Sequence, residues 1–333
     1  MEVAQKIINT YGKNFFSLSL GTQSHFCVRM WRLTGKSKYV LPILVNFQFL
    51  TLALSRYFWK MKNKMSLKDL GGEIKKDSKL FLFYKNVMKK NFYKNNPEIL
   101  FLLILSHFLF NIKSFGMEKY LKEFFTVGKK YFKKINLRPL IFESRFGEFD
   151  PSEAINFVYY LHFLGIADFT EEFKKFMINF WEKENSPQNF KRKIYAFTHF
   201  IIAESYYYQR FVDLGKNRKV LEILEKNLEN ILKFTNPDVV GEVGLCFKLT
   251  KTKNPIVLKK IKDYLEGAFV PSLGYIPYSD SLEKAEHRNI IAVLFLTPFS
   301  GLNSGPNLVE FLKKNSLGFY LPSLRKGIYE FQR

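Results

Sequence analysis

The chain has 333 residues, 47% hydrophobic and 25% charged, which excludes a disordered chain and a membrane-saturated one. Its 37 Phe and 18 Tyr imply a core packed largely with rings. Lys and Arg total 52 against 30 Asp and Glu, a formal charge of +22, which fits either an anionic partner or lysines that solvate the backs of helices.

The N-terminal run MEVAQKIINTYGKNFF has no apolar stretch and no small-residue cleavage site, and Cys27 and Cys246 make no disulfide framework. Both facts predict a cytoplasmic protein. In the first predicted helix His25, Arg29 and Arg32 recur at i, i+4 and i+7, so they share one face. That face is either an ordinary solvated one or a site for a carboxylate or phosphate, to which Arg offers a planar fork of donors.

The apolar runs Tyr39–Leu54 and Ile99–Ile112 carry Pro42, Asn46, Gln48, Ser106 and His107. Both fall short of the ~20 apolar residues of a bilayer span and are expected to be buried core helices, with no transmembrane segment. Asn96-Pro97-Glu98 opens a helix to about Lys113, Gly116 breaks it, and Met117–Ile135 follows as a charged amphipathic helix. The densest basic stretches are Arg56–Lys94 and Lys113–Arg138.

Asp150-Pro151-Ser152-Glu153 is a helix start, with Asp at the N-cap and Pro at the first helical position. The helix runs to Ile166 and pairs with Asp168–Glu184. On it, Glu153, Asn156 and Tyr160 form a polar stripe, unless Glu153 merely serves the helix start. Lys191–Phe211 is apolar and aromatic and carries Tyr195, Thr198, His199 and Glu204, followed by Tyr207. Asn217–Phe234 is charged. Asn236-Pro237 opens a helix to Leu249 in which Asp238, Glu242 and Cys246 share a face, and Gly241 and Gly244 permit close packing or ligand approach. Asn254-Pro255 opens another helix to Gly267. The loop Gly274–Asp280, containing Tyr275 and Tyr278, leads into Glu286-His287-Arg288-Asn289, a polar opening of the apolar helix Glu283–Thr297. Asn307–Lys314 closes the series.

Strand signals are almost absent. In each helix pair the first member is apolar on most sides and the second amphipathic, so one is inner and one outer. The repeat of roughly 40–55 residues is that of helical-hairpin arrays. The expected fold is therefore all-α: a single helical-repeat domain over residues 1–333, an α/α toroid or else an open α-solenoid.

No Walker A, GxSxG, HExxH, CxxC or dinucleotide-binding fingerprint is present. Asp238, Cys246 and His287 form a ligand set that zinc accepts, but their spacing is not diagnostic and no metal is expected. The cofactor is left unknown.

The segments QSHFCVRMWRLTGKSKY, DPSEAINFVYYL, YAFTHFIIAESYYYQRFV, DVVGEVGLCFKL and AEHRNIIAVLFL resemble those of a bacterial family, domain of unknown function 3541. The resemblance covers most of the chain and brings no activity with it. The helix pairs also resemble α/α toroids such as glycoside hydrolases and lyases, a fold-level likeness that fixes no function. The zinc motifs of lanthionine cyclases are missing, and the spacing of Asp238 and Cys246 departs from that of prenyltransferases.

Two functions compete. In the first, an enzyme of hydrolase or lyase type acts on a carbohydrate-like or other polar substrate. Glu242, Glu286, His287 and His199 are then catalytic, and His25, Arg29, Arg32, Glu153, Asn156, Tyr195, Glu204, Tyr207, Asp238, Tyr275, Arg288 and Asn289 bind substrate. In the second, a non-catalytic scaffold docks an anionic protein, polyanion or membrane surface. No element that reads bases is legible, so any association with nucleic acid is expected to be weak, salt-sensitive and independent of sequence.

Overall fold

The computed structural model describes residues 2–143, 145–184, 186–279, 281–299 and 301–317. Asp280, in the aromatic loop, lies outside them. The chain is 73% helical, with no strand among the described residues. One antiparallel bridge joins Val270 to Tyr275. The chain is all-α.

The chain divides into two compact units, Met1–Tyr39 with Lys174–Ser304, and Val40–Phe173 with Gly305–Arg333. The first unit opens with α1 (Glu2–Lys13) and α2 (Leu20–Thr34). Ser19 caps α2 by accepting the Thr22 N–H, and Gly35 ends it in the left-handed region. The second unit runs through α3 (Val40–Lys62), α4 (Leu67–Ile74), α5 (Ser78–Met88), α6 (Asn91–Asn95), α7 (Pro97–Ser114), α8 (Lys122–Phe132), α9 (Leu137–Phe142), α10 (Phe146–Phe149) and α11 (Pro151–Phe163). The chain passes between units within α12 (Thr170–Lys183). The first unit then continues with α13 (Phe190–Glu204), α14 (Leu214–Lys226), α15 (Leu228–Phe234), α16 (Pro237–Leu249), α17 (Pro255–Ala268) and α18 (Glu286–Leu296), and α19 (Leu308–Lys314) belongs to the second.

Starts carrying Pro come where the sequence predicts them, because Pro at the first position needs no hydrogen-bond acceptor. Asn236 and Asn254 cap α16 and α17. Asp150 departs from expectation. Its side chain does not cap α11 but accepts from Tyr93 Oη at 2.8 Å and Lys90 Nζ at 2.5 Å. Three helices are shorter than their periodicity. Met117–Ile135 is helical only from Lys122, and Asn217–Phe234 breaks at Asn227. Lys191–Phe211 stops at Glu204, because Tyr206, Tyr207 and Tyr208 all take positive φ. That costly turn is held by Ser205 Oγ, which accepts the Tyr208 N–H at 2.8 Å, and by Arg32, which donates to the Tyr207 carbonyl.

In the second unit α7 is apolar nearly all round and mostly buried, with Phe108 against Phe47 and Phe58. Both α7 and the segment Ser37–Lys62 are long and apolar enough to cross a membrane by length and composition alone.

In the first unit α16 packs on α13, α17 and α18, and α18 also packs on α1 and α2. The two glycines of α16 make the α16–α18 approach possible. A Cβ on Gly241 would sit 2.6 Å from Ile291 Cγ2, and one on Gly244 would sit 2.5 Å from the Phe295 ring and 3.0 Å from Ile261. Their role is close packing, one of the two uses the sequence left open. Gly244→Ala is expected to destabilise the protein by about 1–3 kcal/mol despite alanine's higher helix propensity, since a ring and a β-branched side chain must both yield. Chemical denaturation of the variant checks this.

Candidate functional site

Four buried helices of the first unit bring their polar residues to one place. From α2 come His25 and Arg29, from α13 Tyr195, Thr198 and His199, from α16 Asp238 and Glu242, and from α18 Glu286 and His287. Asp238 and Glu242 stand one turn apart on the α16 face that meets α18, and Glu286 and His287 lie in the first turn of α18. The tight glycine contact of these helices sets the carboxylates of one against the imidazole of the other.

The geometry resolves into two carboxylate–histidine dyads. His287 Nδ1 donates to Asp238 Oδ1 at 2.5 Å, and Tyr195 Oη donates to the other Asp238 oxygen. His25 Nδ1 lies 2.8 Å from Glu286 Oε2 and 3.0 Å from Oε1. The two imidazoles are neighbours, with ring centroids 5.3 Å apart. Behind His287 sits Glu242, its Oε1 4.0 Å from His287 Nε2 and its Oε2 2.7 Å from Thr198 Oγ1. His199 Nδ1 donates to the Tyr195 carbonyl at 2.9 Å and lies 3.6 Å from Glu242. The side chains of Glu242 and Glu286 are 2% and 6% exposed, whereas those of His287 and His25 are 40% and 29% exposed. The imidazoles therefore face solvent and the acids back them.

These environments push proton affinities apart. Burial opposes the charge on His287, but the Asp238 charge and hydrogen bond, with Glu242 behind, raise it to about 9. Burial and the positive charge of Arg29 instead hold His25 below its ordinary range, outweighing Glu286. Asp238 stays ionised despite burial, because His287 and Tyr195 both donate to it. Glu242 is driven upward by burial and by the Asp238 charge. Burial and the same two carboxylates keep the Tyr195 phenol protonated. Near pH 7 the site thus holds a cationic imidazole beside a neutral one.

Other expected site residues lie elsewhere or are otherwise engaged. Arg32 is buried and holds the Tyr207 turn, and its own carbonyl accepts from Asn303. Glu204 accepts from Asn217 at 3.0 Å, with Lys174 at 3.9 Å. Asn289 anchors the aromatic loop by accepting the Ile276 N–H and donating to the Ile276 carbonyl, both at 2.8 Å. Arg288 donates to the Pro277 carbonyl and covers the Tyr278 ring, while Tyr275 is buried and pairs in the bridge to Val270. Glu153 and Asn156 belong to the second unit, where they bond to each other at 3.3 Å and burial raises the Glu153 carboxyl.

The sequence reading gave no role to two residues of this site. Thr198, visible there only as a polar break in an apolar helix, holds Glu242. Tyr208, whose phenol is pushed upward by burial and Glu242, reaches the cluster through the left-handed turn, which no spacing rule anticipates.

For a metal, the donors that lie together among the described residues are those of Asp238, Glu242 and His287, all within 4.8 Å of one another. Cys246 is not among them, since its thiol points to the Thr198 carbonyl at 3.6 Å. The Asp238–Cys246–His287 set is thus corrected: i and i+8 on one helix stand two turns apart, too far to meet at one ion. Of these donors, both Asp238 oxygens, His287 Nδ1 and Glu242 Oε2 already hold hydrogen bonds, while Glu242 Oε1 and His287 Nε2 face each other at 4.0 Å.

Comparison with curated proteins and with solved structures gives no match. A family model described as Domain of unknown function (DUF3541) matches residues 1–324. With all but the last few residues of the chain inside that match, the protein belongs to the DUF3541 family.

Proposed function

We propose that this protein is an acid/base enzyme, a hydrolase or lyase of the kind that α/α-toroid folds carry, acting in the cytoplasm on a carbohydrate-like polar substrate. The observation that supports it is the pair of dyads: two solvent-facing imidazoles 5.3 Å apart, one raised by Asp238 and the other lowered beside Arg29. Titratable neighbours whose proton affinities are driven apart mark an acid and a base.

In this reading His287 is the general acid, held in one tautomer by Asp238 and able to give its Nε2 proton to a leaving oxygen. His25 is the general base. Glu286 takes its Nδ1–H, which leaves Nε2 as the acceptor. Glu242 stands behind His287, its Oε1 4.0 Å from Nε2, as a carboxyl driven upward by burial and the Asp238 charge. Glu286, read from sequence as an acid or base in its own right, becomes a positioning residue for His25.

The test is turnover on a panel of chromogenic glycosides and polysaccharides, read as reducing ends and as unsaturated products. His25→Gln and His287→Gln are each expected to lower turnover of the accepted substrate by about 10²–10⁴-fold while retaining the helical spectrum. Unchanged turnover in both variants would overturn the reading.

A further inference from the structure

Arg29 stands one turn beyond His25 on the same face of α2, yet it makes no hydrogen bond or ion pair with a described residue, and its Nε is sealed from solvent without a partner. Three carboxylates share its cluster. Each is turned to another donor: Asp238 to His287 and Tyr195, Glu242 to Thr198, and Glu286 to His25. The guanidinium charge is nonetheless felt there, since it depresses both His25 and His287 and favours the ionised form of Glu242. A desolvated, unpaired donor is costly, and in a polar cluster a bound anion is one group that completes it.

The geometry points to Arg29 as the anion subsite of this cluster, taking the carboxylate of an acidic sugar, a uronate, beside the two imidazoles. This rests on the acid/base reading above and names its substrate class. The guanidinium fork pairs a planar carboxylate with two parallel hydrogen bonds. A carboxylate fits better than a phosphate because a dianion beside the Asp238 and Glu286 carboxylates would meet greater repulsion than a single charge.

Binding rather than turnover is the readout, because loss of Arg29 also changes the proton affinity of His25. The full chain, Arg29→Gln and Arg29→Lys are titrated calorimetrically at pH 7 with D-glucuronate, D-glucose and glucose 6-phosphate. The wild type is expected to prefer glucuronate to glucose by about tenfold or more, a difference of about 1.4 kcal/mol. Arg29→Gln should bind the two sugars equally, and Arg29→Lys should lie between, since an ammonium keeps the charge and loses the fork. Equal binding of both sugars by the wild type, a preference that survives in Arg29→Gln, tighter binding of glucose 6-phosphate, or binding of neither sugar would each overturn the uronate subsite. None of these outcomes touches the acid/base reading, which stands or falls on turnover of the His25 and His287 variants.

Discussion

Asp238→Asn is expected to lower turnover by about 10³–10⁴-fold and to pull the basic limb of the pH–rate profile down from about 9 toward the ordinary histidine range. The carboxylate performs two tasks that an amide cannot. It accepts the His287 Nδ1–H, fixing the tautomer, and its charge is the main reason that His287 stays protonated near pH 7. An asparagine presents either a neutral oxygen or an N–H, so the imidazole loses its proton or turns. The same residue holds the Tyr195 phenol, so the variant also frees a second buried donor.

The stability of the wild type should carry the same signature. Because the folded proton affinity of His287 is raised, its contribution is fully present below pH 6.5, the unfolded value, and is lost as pH rises through about 9. With the imidazole 40% exposed, solvent screening reduces the effect to about 1 kcal/mol. Thermal melts from pH 6 to 9.5 should therefore slope downward more steeply for the wild type than for Asp238→Asn, in which buried Glu242 still contributes a slope. Histidine NMR titration gives the midpoint directly. A wild-type His287 midpoint at or below 6.5 would remove the basis for assigning it as the acid.

Glu242→Gln should make the protein more stable at neutral pH. Glu242 is buried against the Asp238 charge, so its folded proton affinity lies above the unfolded value of 4.5. Between those two values the native state holds a proton that the unfolded chain has released, and stability falls as pH rises. A glutamine of the same shape keeps an oxygen for Thr198 and carries no such cost. The variant and the wild type should melt together below pH 4.5 and diverge above it. At pH 7 the variant should lead by at least about 1 kcal/mol, or roughly 2–4 °C for a unit of this size. A glutamine variant that is less stable than the wild type across this range would show that Glu242 is ionised and paired in the folded protein.

Much of this protein is written in the order of its residues. Helix starts at Pro97, Pro151, Pro237 and Pro255 follow from local chemistry, because a proline at the first position fixes φ and needs no acceptor. The all-α class follows from 3.6-residue periodicity, and the buried character of α16 and α18 from apolar residues on most sides. The likeness of five segments to the DUF3541 family is likewise a property of sequence, and the family match covers those segments. Polar residues on helices that must be buried also drew attention to His25, Arg29, Glu242, Glu286 and His287, since an unpaired polar group in a core is costly.

Only the tertiary structure decided how those residues combine. Asp238 and Cys246 share a helix face, but packing turns Asp238 to His287 and the Cys246 thiol to the Thr198 carbonyl. Glu153 and Asn156, equally polar in sequence, fold into the other unit. Tyr208 enters the site through a left-handed turn of three tyrosines, a conformation that local propensity opposes and that a long-range bond from Arg32, with the local one to Ser205 Oγ, holds in place. His25 and His287 read as similar groups in the chain. They are driven to opposite proton affinities because His25 is buried beside Arg29 of its own helix, a neighbour the spacing encodes, whereas His287 meets Asp238 of α16, which arrives through a contact between helices that no spacing along the chain encodes.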